Sequence, residues 1–120
     1  MAYIIELPTF NDSRGVLSVC ENELPFTIKR FYFVYDVKKC RGGHRHKIST
    51  QALICLGGKC DVYINDGITE KTVTLNAPNQ CLILEPKDWH TMDHFSTGAT
   101  LLVLSSTNYD RNDYIDEPYN

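Results

Sequence analysis

Apolar positions along this chain fall into short runs, most of them closed by glycine, proline, asparagine or aspartate. Strands are predicted at Tyr3–Leu7, Val16–Cys20, Phe26–Val37, Ala52–Leu56, Lys59–Asn65, Thr72–Leu75, Gln80–Leu84 and Thr100–Ser105. In the longest run the alternation sets Tyr32, Val34 and Asp36 on one face and Phe31, Phe33 and Tyr35 on the other. Asn11–Gly15, Asn65-Asp66-Gly67, Asn76–Asn79 and Pro86–Asp88 read as turns. Gly57-Gly58, between two strand runs, reads as a hairpin turn. Gly42-Gly43 reads as a break in the chain. Polar, aromatic Tyr109–Tyr119 reads as a helical turn packed by Tyr114 and Ile115. No stretch sustains a helical period, and strands recur every ~8–12 residues, so an antiparallel sandwich or barrel is expected.

The chain has 120 residues, of which 42% are hydrophobic and 22% charged, which suits one domain, 1–120, with a real core. Net charge is −3, and its basic pairs, Lys29-Arg30 and Lys38-Lys39, are isolated. That excludes a broad nucleic-acid-binding face and leaves room for a local cluster that holds a small anion. No apolar run approaches the ~20 residues of a membrane helix. Met-Ala-Tyr-Ile-Ile-Glu has no basic stretch ahead of a long apolar one, so it predicts no secretion signal. The five cysteines form no Cys-x-x-Cys pair, and Cys55 and Cys81 sit in apolar runs. Reduced thiols in a cytoplasmic protein are expected.

Arg41-Gly-Gly-His44-Arg-His46-Lys47 carries the candidate chemistry. Two histidines two apart on an extended segment face the same way and converge on one metal ion or one substrate. A carboxylate should follow to complete a metal site. Gln51 stands there instead, a neutral amide and a poor ligand for a divalent transition metal. The pair therefore reads as imidazoles kept for proton chemistry, with no metal.

The pattern Gly43-His44-x-His46-x4-Gln51-x6-Gly58, followed by Pro86-x2-Trp89-His90, resembles the two motifs of the cupin superfamily. The resemblance implies an all-β double-stranded β-helix (jelly-roll) barrel with its site in the barrel mouth. In metal-binding cupins these motifs supply two histidines and a glutamate, then a third histidine. A more specific resemblance rests on Asp12-Ser-Arg-Gly15, Ile28-Lys-Arg-Phe-Tyr32, Arg41-Gly-x-His44-x-His46-Lys47, Trp89-His90-x-Met92 and Asn108-Tyr-Asp-x-x-Asp113-Tyr114-Ile115. Together these resemble the WxcM-like sugar nucleotide 3,4-ketoisomerases. That family moves the keto group of dTDP-4-keto-6-deoxy-D-glucose from C4 to C3, feeding the 3-amino sugars of surface polysaccharides. The resemblance implies a cytoplasmic homodimer that uses no metal and no cofactor.

Moving a ketone to the neighbouring carbon passes through an enediol and needs groups titrating near neutrality. The resemblance gives catalysis to His44 and His46. Tyr32 is a candidate to bond the 4-keto oxygen or relay a proton. Gln51 is placed to hold an imidazole tautomer or a sugar hydroxyl, and Trp89-His90 to bring a third imidazole to the ring. His94 reads as structural or exposed. For the diphosphate the candidates are Arg41, Arg14 and Lys47, because planar guanidinium matches phosphate oxygens. Val16, after Arg14-Gly15, has no donor to offer. His90 after Trp89 points to the product with inverted C4, the 3-keto-6-deoxygalactose form. The rival readings are a dTDP-sugar 3,5-epimerase, a metal-dependent cupin and a non-catalytic sugar-binding cupin.

Overall fold

The computed structural model describes residues 1–120. The strands are β1 (Tyr3–Glu6), β2 (Thr9–Asp12), β3 (Gly15–Ser18), β4 (Arg30–Val34), β5 (Arg41–His46) and β6 (Gln51–Leu56). They continue as β7 (Cys60–Asn65), β8 (Glu70–Leu75), β9 (Gln80–Leu84), β10 (Trp89–Asp93), β11 (Thr100–Ser105) and β12 (Tyr114–Ile115). Arg111–Asp113 forms one 3-10 turn, capped by the Asp110 carboxylate, which accepts the Asn112 N–H. Two five-stranded antiparallel sheets, ordered β1-β9-β6-β11-β4 and β12-β5-β10-β7-β8, build the expected all-β jelly-roll barrel. The β2–β3 hairpin is a separate two-stranded ribbon.

Alternation decides what enters the barrel. Val62 and Ile64 of β7, Leu53 and Cys55 of β6, Leu82 and Leu84 of β9, and Leu101 and Val103 of β11 form one fully buried cluster. The opposite faces of β6, β9 and β11 bury a second cluster of Ala52, Ile54, Cys81, Ile83 and Leu104. Ile5, Leu24 and Phe26 pack against it, so the first sheet is covered on both faces and β6 reads as a continuous apolar run. Gln51, Ser105 and Arg30 stand at one level of the first sheet, so the barrel interior turns polar at that end.

Several sequence expectations change here. The run 26–37 is not one strand: β4 covers Arg30–Val34 only, although its alternation stands, with Phe31 and Phe33 outward and Tyr32 packed on the core. Gly57-Gly58 does not join a hairpin. Both glycines adopt left-handed φ, +71° and +83°, but β6 and β7 belong to different sheets, and the turn carries the chain across the barrel. Asn65-Asp66-Gly67 does close a hairpin, β7–β8, where Asn65 pairs with Glu70. Gly42-Gly43 does not end a strand. Both residues lie inside β5 with φ of +84°, at an irregularity in its pairing with β10. Thr9–Asp12 and Trp89–Asp93 are strands that alternation alone did not reveal.

Candidate active site

Strands β5 and β10 lie side by side and turn three imidazoles into the polar end of the barrel. His44 pairs with His90 across the ladder, and their ring centres are 5.0 Å apart. His44 and His46 are 5.2 Å apart, His46 and His90 6.1 Å. The glycine pair makes this possible. A Cβ on Gly42 would stand 2.9 Å from the His90 carbonyl oxygen, so only glycine lets the two strands approach there.

Two of the imidazoles have a defined proton. His90 Nδ1 is 2.9 Å from the Asp88 carbonyl oxygen, an acceptor only, so Nδ1 carries the hydrogen and Nε2 a lone pair. His46 Nδ1 is 2.8 Å from the Asp113 carboxylate. Its Nε2 is buried and has no hydrogen-bond partner. Burial pushes all three imidazoles below their usual range, His44 to about 4 and His90 to about 3, and His44 and His90 are lowered further by the neighbouring imidazoles. For His46 the Asp113 carboxylate opposes the burial. All three are therefore neutral at pH 7, with lone pairs available as bases.

Asp113 holds this arrangement. Burial raises its pKa, but bonds from the Ser49 hydroxyl, the Ile48 N–H and His46 outweigh burial and keep it ionised. Its Oδ1 accepts the N–H groups of Ile48 at 2.8 Å and Lys47 at 3.1 Å, and its Oδ2 accepts the Ser49 hydroxyl. The segment after β11 brings it there: β12 pairs with β5, Tyr114 opposite His46, and the Tyr114 ring packs 4.7 Å from both His44 and His46.

A cleft of about 430 Å³ opens over the imidazoles, lined by Arg30, Tyr32, Arg41, His44, Tyr109, Arg111, Tyr114 and Asp116. Arg30 is fixed at its base. Its Nε donates to the Thr107 carbonyl at 3.1 Å, and its guanidinium lies over the rings of Tyr32 and Tyr109. Arg111 pairs with Asp116 at 2.7 Å. Burial raises the Tyr32 pKa, so it stays a protonated phenol and serves as a donor. Gln51 is buried beside Tyr32 and His46, and its amide nitrogen has no partner. A second hollow, of about 490 Å³, lies over the β4–β5 connection and shares Arg41, but no imidazole lines it.

Of the residues singled out in the sequence, His44, His46, His90, Tyr32, Gln51 and Arg41 come together here. Three do not. Arg14 sits in the β2–β3 turn, exposed, and binds its neighbour Asp12 at 2.6 Å. Lys47 projects into solvent past the end of β5, and only its backbone N–H serves the site. Trp89 alternates with His90 and so faces outward; its indole N–H donates to the Asp116 carbonyl at 3.0 Å. That bond anchors the segment that carries Tyr114 and Asp116. His94 is exposed and paired with Asp61, as expected. Sequence reasoning did not single out Asp113, Tyr114, Arg30 or Arg111 as site residues, although each stands in or beside a quoted motif.

A model of the family described as FdtA, WxcM-like, C-terminal matches residues 1–120. This chain belongs to that family. A TDP-4-oxo-6-deoxy-alpha-D-glucose-3,4-oxoisomerase of Aneurinibacillus thermoaerophilus is 40% identical over 116 residues, which is 93% of this chain and 84% of that protein. The crystal structure of a 3,4-ketoisomerase from Helicobacter canadensis superposes with a TM-score of 0.91 at 42% identity, covering 97% of this chain and 90% of that one. A mutant QdtA 3,4-ketoisomerase from Thermoanaerobacterium thermosaccharolyticum, in complex with TDP-4-keto-6-deoxyglucose, gives 0.93 at 37% identity, with 97% and 87% covered. This member of the FdtA family is an isomerase of the 3,4-ketoisomerase class.

Its histidines also meet the demands of a metal in the manner of a cupin. Donor atoms of His44, His46 and His90 all lie within 4.8 Å of one another, and the bare Nε2 of His46 suits an ion. Gln51, buried where metal-binding cupins carry a glutamate, adds no charge, so such a centre would rest on the three imidazoles.

Proposed function

We propose that the chain converts dTDP-4-keto-6-deoxy-D-glucose to a dTDP-3-keto-6-deoxyhexose by histidine acid–base catalysis through a 3,4-enediol, with no metal in the reaction. The observation that carries this reading is His46, whose Nδ1–H is held by Asp113 while its buried Nε2 lone pair faces the cluster unpartnered. That nitrogen takes the C3 proton. Charge grows on O4 as the bond shifts, and the Tyr32 phenol and the Gln51 amide beside it are the donors that meet it. The O3–H proton passes to O4, and an imidazole returns a proton to C4. One C–H and one O–H are lost at C3, and one of each is gained at C4, so the step balances without an oxidant. Relatives that act on TDP-linked 4-keto-6-deoxyglucose support the substrate.

Arg30, Arg41 and Arg111 outnumber Asp116 at the mouth and suit a diphosphate. His90 enters from β10 and Tyr32 from β4, in the opposite sheet. His90 is neutral with Nε2 bare, so it delivers to C4 only a proton handed on from the imidazolium formed at C3, and by that relay the product is the inverted, 3-keto-6-deoxygalactose form. The protein acts as a homodimer: edge strand β4 presents Phe31 and Phe33, Tyr35 follows it, each more than half exposed, and the β2–β3 hairpin presents Phe10, Val16 and Leu17.

The test is an NMR time course of the 4-keto substrate with chelator-treated enzyme in deuterated buffer. A 3-keto product with deuterium at C4 supports the whole reading, and the C4 configuration decides between galacto and gluco products. A retained 4-ketone with deuterium at C3 and C5 would replace it with 3,5-epimerisation. Turnover that returns only on adding a divalent ion would make it a metal enzyme.

A further inference from the structure

The turn at residues 85–88 carries the chain from β9 in the first sheet to β10 in the second, and its last three carbonyls are all engaged. The Pro86 carbonyl accepts the His46 backbone N–H at 2.9 Å. The Lys87 carbonyl accepts the Tyr119 hydroxyl at 2.7 Å. The Asp88 carbonyl accepts Nδ1–H of His90 at 2.9 Å. One short turn therefore bears on two of the three histidines. Asp88 closes it twice over. Its N–H donates to the Glu85 carbonyl at 3.0 Å, and its carboxylate Oδ2 accepts the Glu85 N–H at 2.8 Å. The side chain is fully buried, and its other oxygen, Oδ1, makes no hydrogen bond and lies 3.9 Å from the Met1 ammonium. Burying a carboxylate is costly unless bonds offset it, and this one directs its single hydrogen bond to the backbone of its own turn.

From this geometry we infer that Asp88 is a positioning residue for His90, acting through the turn and not on the substrate. The peptide that follows Asp88 rotates only by breaking the bonds to Glu85, so its carbonyl stays aimed at the His90 ring. A carbonyl accepts only an N–H, which fixes the hydrogen on Nδ1 and leaves the Nε2 lone pair to the cluster. Without the carboxylate the Glu85 N–H loses its partner, the carbonyl is free to turn, and the imidazole populates both tautomers. In the Nε2–H form it cannot take a proton from a neighbouring imidazolium, and the relay to C4 stops. His46 is less affected, because Asp113 sets its tautomer separately. The hold on His90 rests on the fold alone, whereas its effect on rate rests on the proposed ketoisomerase reaction.

Nitrogen NMR of histidine-labelled protein reads the tautomer with no substrate present, and steady-state rates read its consequence. In Asp88→Ala the single Nδ1–H pattern of His90 gives way to a mixture, while His46 keeps its own. kcat falls by up to about 100-fold with little change in KM, because the displaced group handles the proton and not the diphosphate. Asp88→Asn keeps an oxygen for the Glu85 N–H and gives up only the charge near Met1. It melts lower than the wild type, yet it restores the His90 pattern and most of the rate. Leu75→Ala truncates the core at the end of β8 that pairs with Cys60, away from the imidazoles, and it lowers the melting temperature without touching either readout. Where the alanine variant does not fold, Asp88→Leu, which fills the same space without an acceptor, takes its place with the same expectation. A folded alanine or leucine variant with the wild-type tautomer and rate would overturn the inference. So would a folded asparagine variant with a mixed His90 tautomer and a depressed kcat, since the charge and not the closed turn would then be what matters. A His90 tautomer that follows Asp88 in a protein without ketoisomerase turnover would uphold the positioning and overturn the proposed reaction.

Discussion

At the scale of single residues, the site depends on which nitrogen carries which proton. His46→Asn removes the base, and kcat should fall by about 10²- to 10⁴-fold while TDP binding is kept, a split that turnover and ligand titration read together. Asp113→Asn is a different test. It leaves the imidazole in place but not its tautomer, so kcat falls with little change in KM. Half-buried His44, at about 4, and buried His90, at about 3, are depressed from the usual 6.5. Burial also lowers His46, the base, so its base form persists below the usual range and kcat should hold as pH falls through 6.5. Stability behaves otherwise. Below about pH 6.5 the unfolded chain binds protons on these histidines that the folded chain refuses, so stability declines from there towards pH 3, by up to about 1.4 kcal/mol per pH unit per group. Thermal melts across that range, alongside rates, separate the two effects. The histidines, Tyr32, Gln51 and Arg41 were legible in the sequence because strand alternation and motif spacing place them together. Asp113 was not, because it lies 67 residues from His46 and only folding joins them. Trp89 was misread for the opposite reason: a residue beside His90 in sequence points, on a strand, to the other face.

At the scale of elements, the glycines carry information that turn statistics do not. Gly57-Gly58 has the conformation of a tight hairpin turn yet links strands in different sheets, because Cys60, Val62 and Ile64 bury better against the facing layer than beside β6. Local signals gave the turn, and only packing decided its partner. Gly42 is the sharper case. Gly42→Ala forces a Cβ into the His90 carbonyl and a side chain into φ of +84°, so it should destabilise by at least about 1–3 kcal/mol and displace His90. A lower melting temperature together with a lower kcat in that variant, against an unaffected Gly98→Ala kcat, would tie the bulge to the site. Gly98 also has positive φ but nothing within reach of a Cβ, and it sits in the β10–β11 connection, outside the lining of the cleft.

At the scale of the whole molecule, the barrel has an apolar closed end, a polar mouth and an apolar outer edge. The principal extents, 50 × 30 × 25 Å, describe an elongated chain for its size. Phe33→Asp puts a charge in the middle of the exposed β4 ridge, and light scattering should show it shifting a dimer towards monomer, since an interface of standard size buries about 800 Å² on each partner. An unchanged mass would place the pairing surface elsewhere. The fold was legible because no helical period competes with the strand pattern. Its sheet order was not, since turns such as Gly57-Gly58 and Pro86–Asp88, which cross between the two layers, do not show which layer the next strand joins.

The carboxylate that orients the base arrives late in the chain. Every strand of the two sheets except β12 precedes Asp113, so the barrel's main pairings do not depend on the group that orients His46. A chain cut after β11 keeps all three histidines and the Asp88 carbonyl that fixes His90, but loses the carboxylate that orients His46, so it should fold in part and turn over nothing.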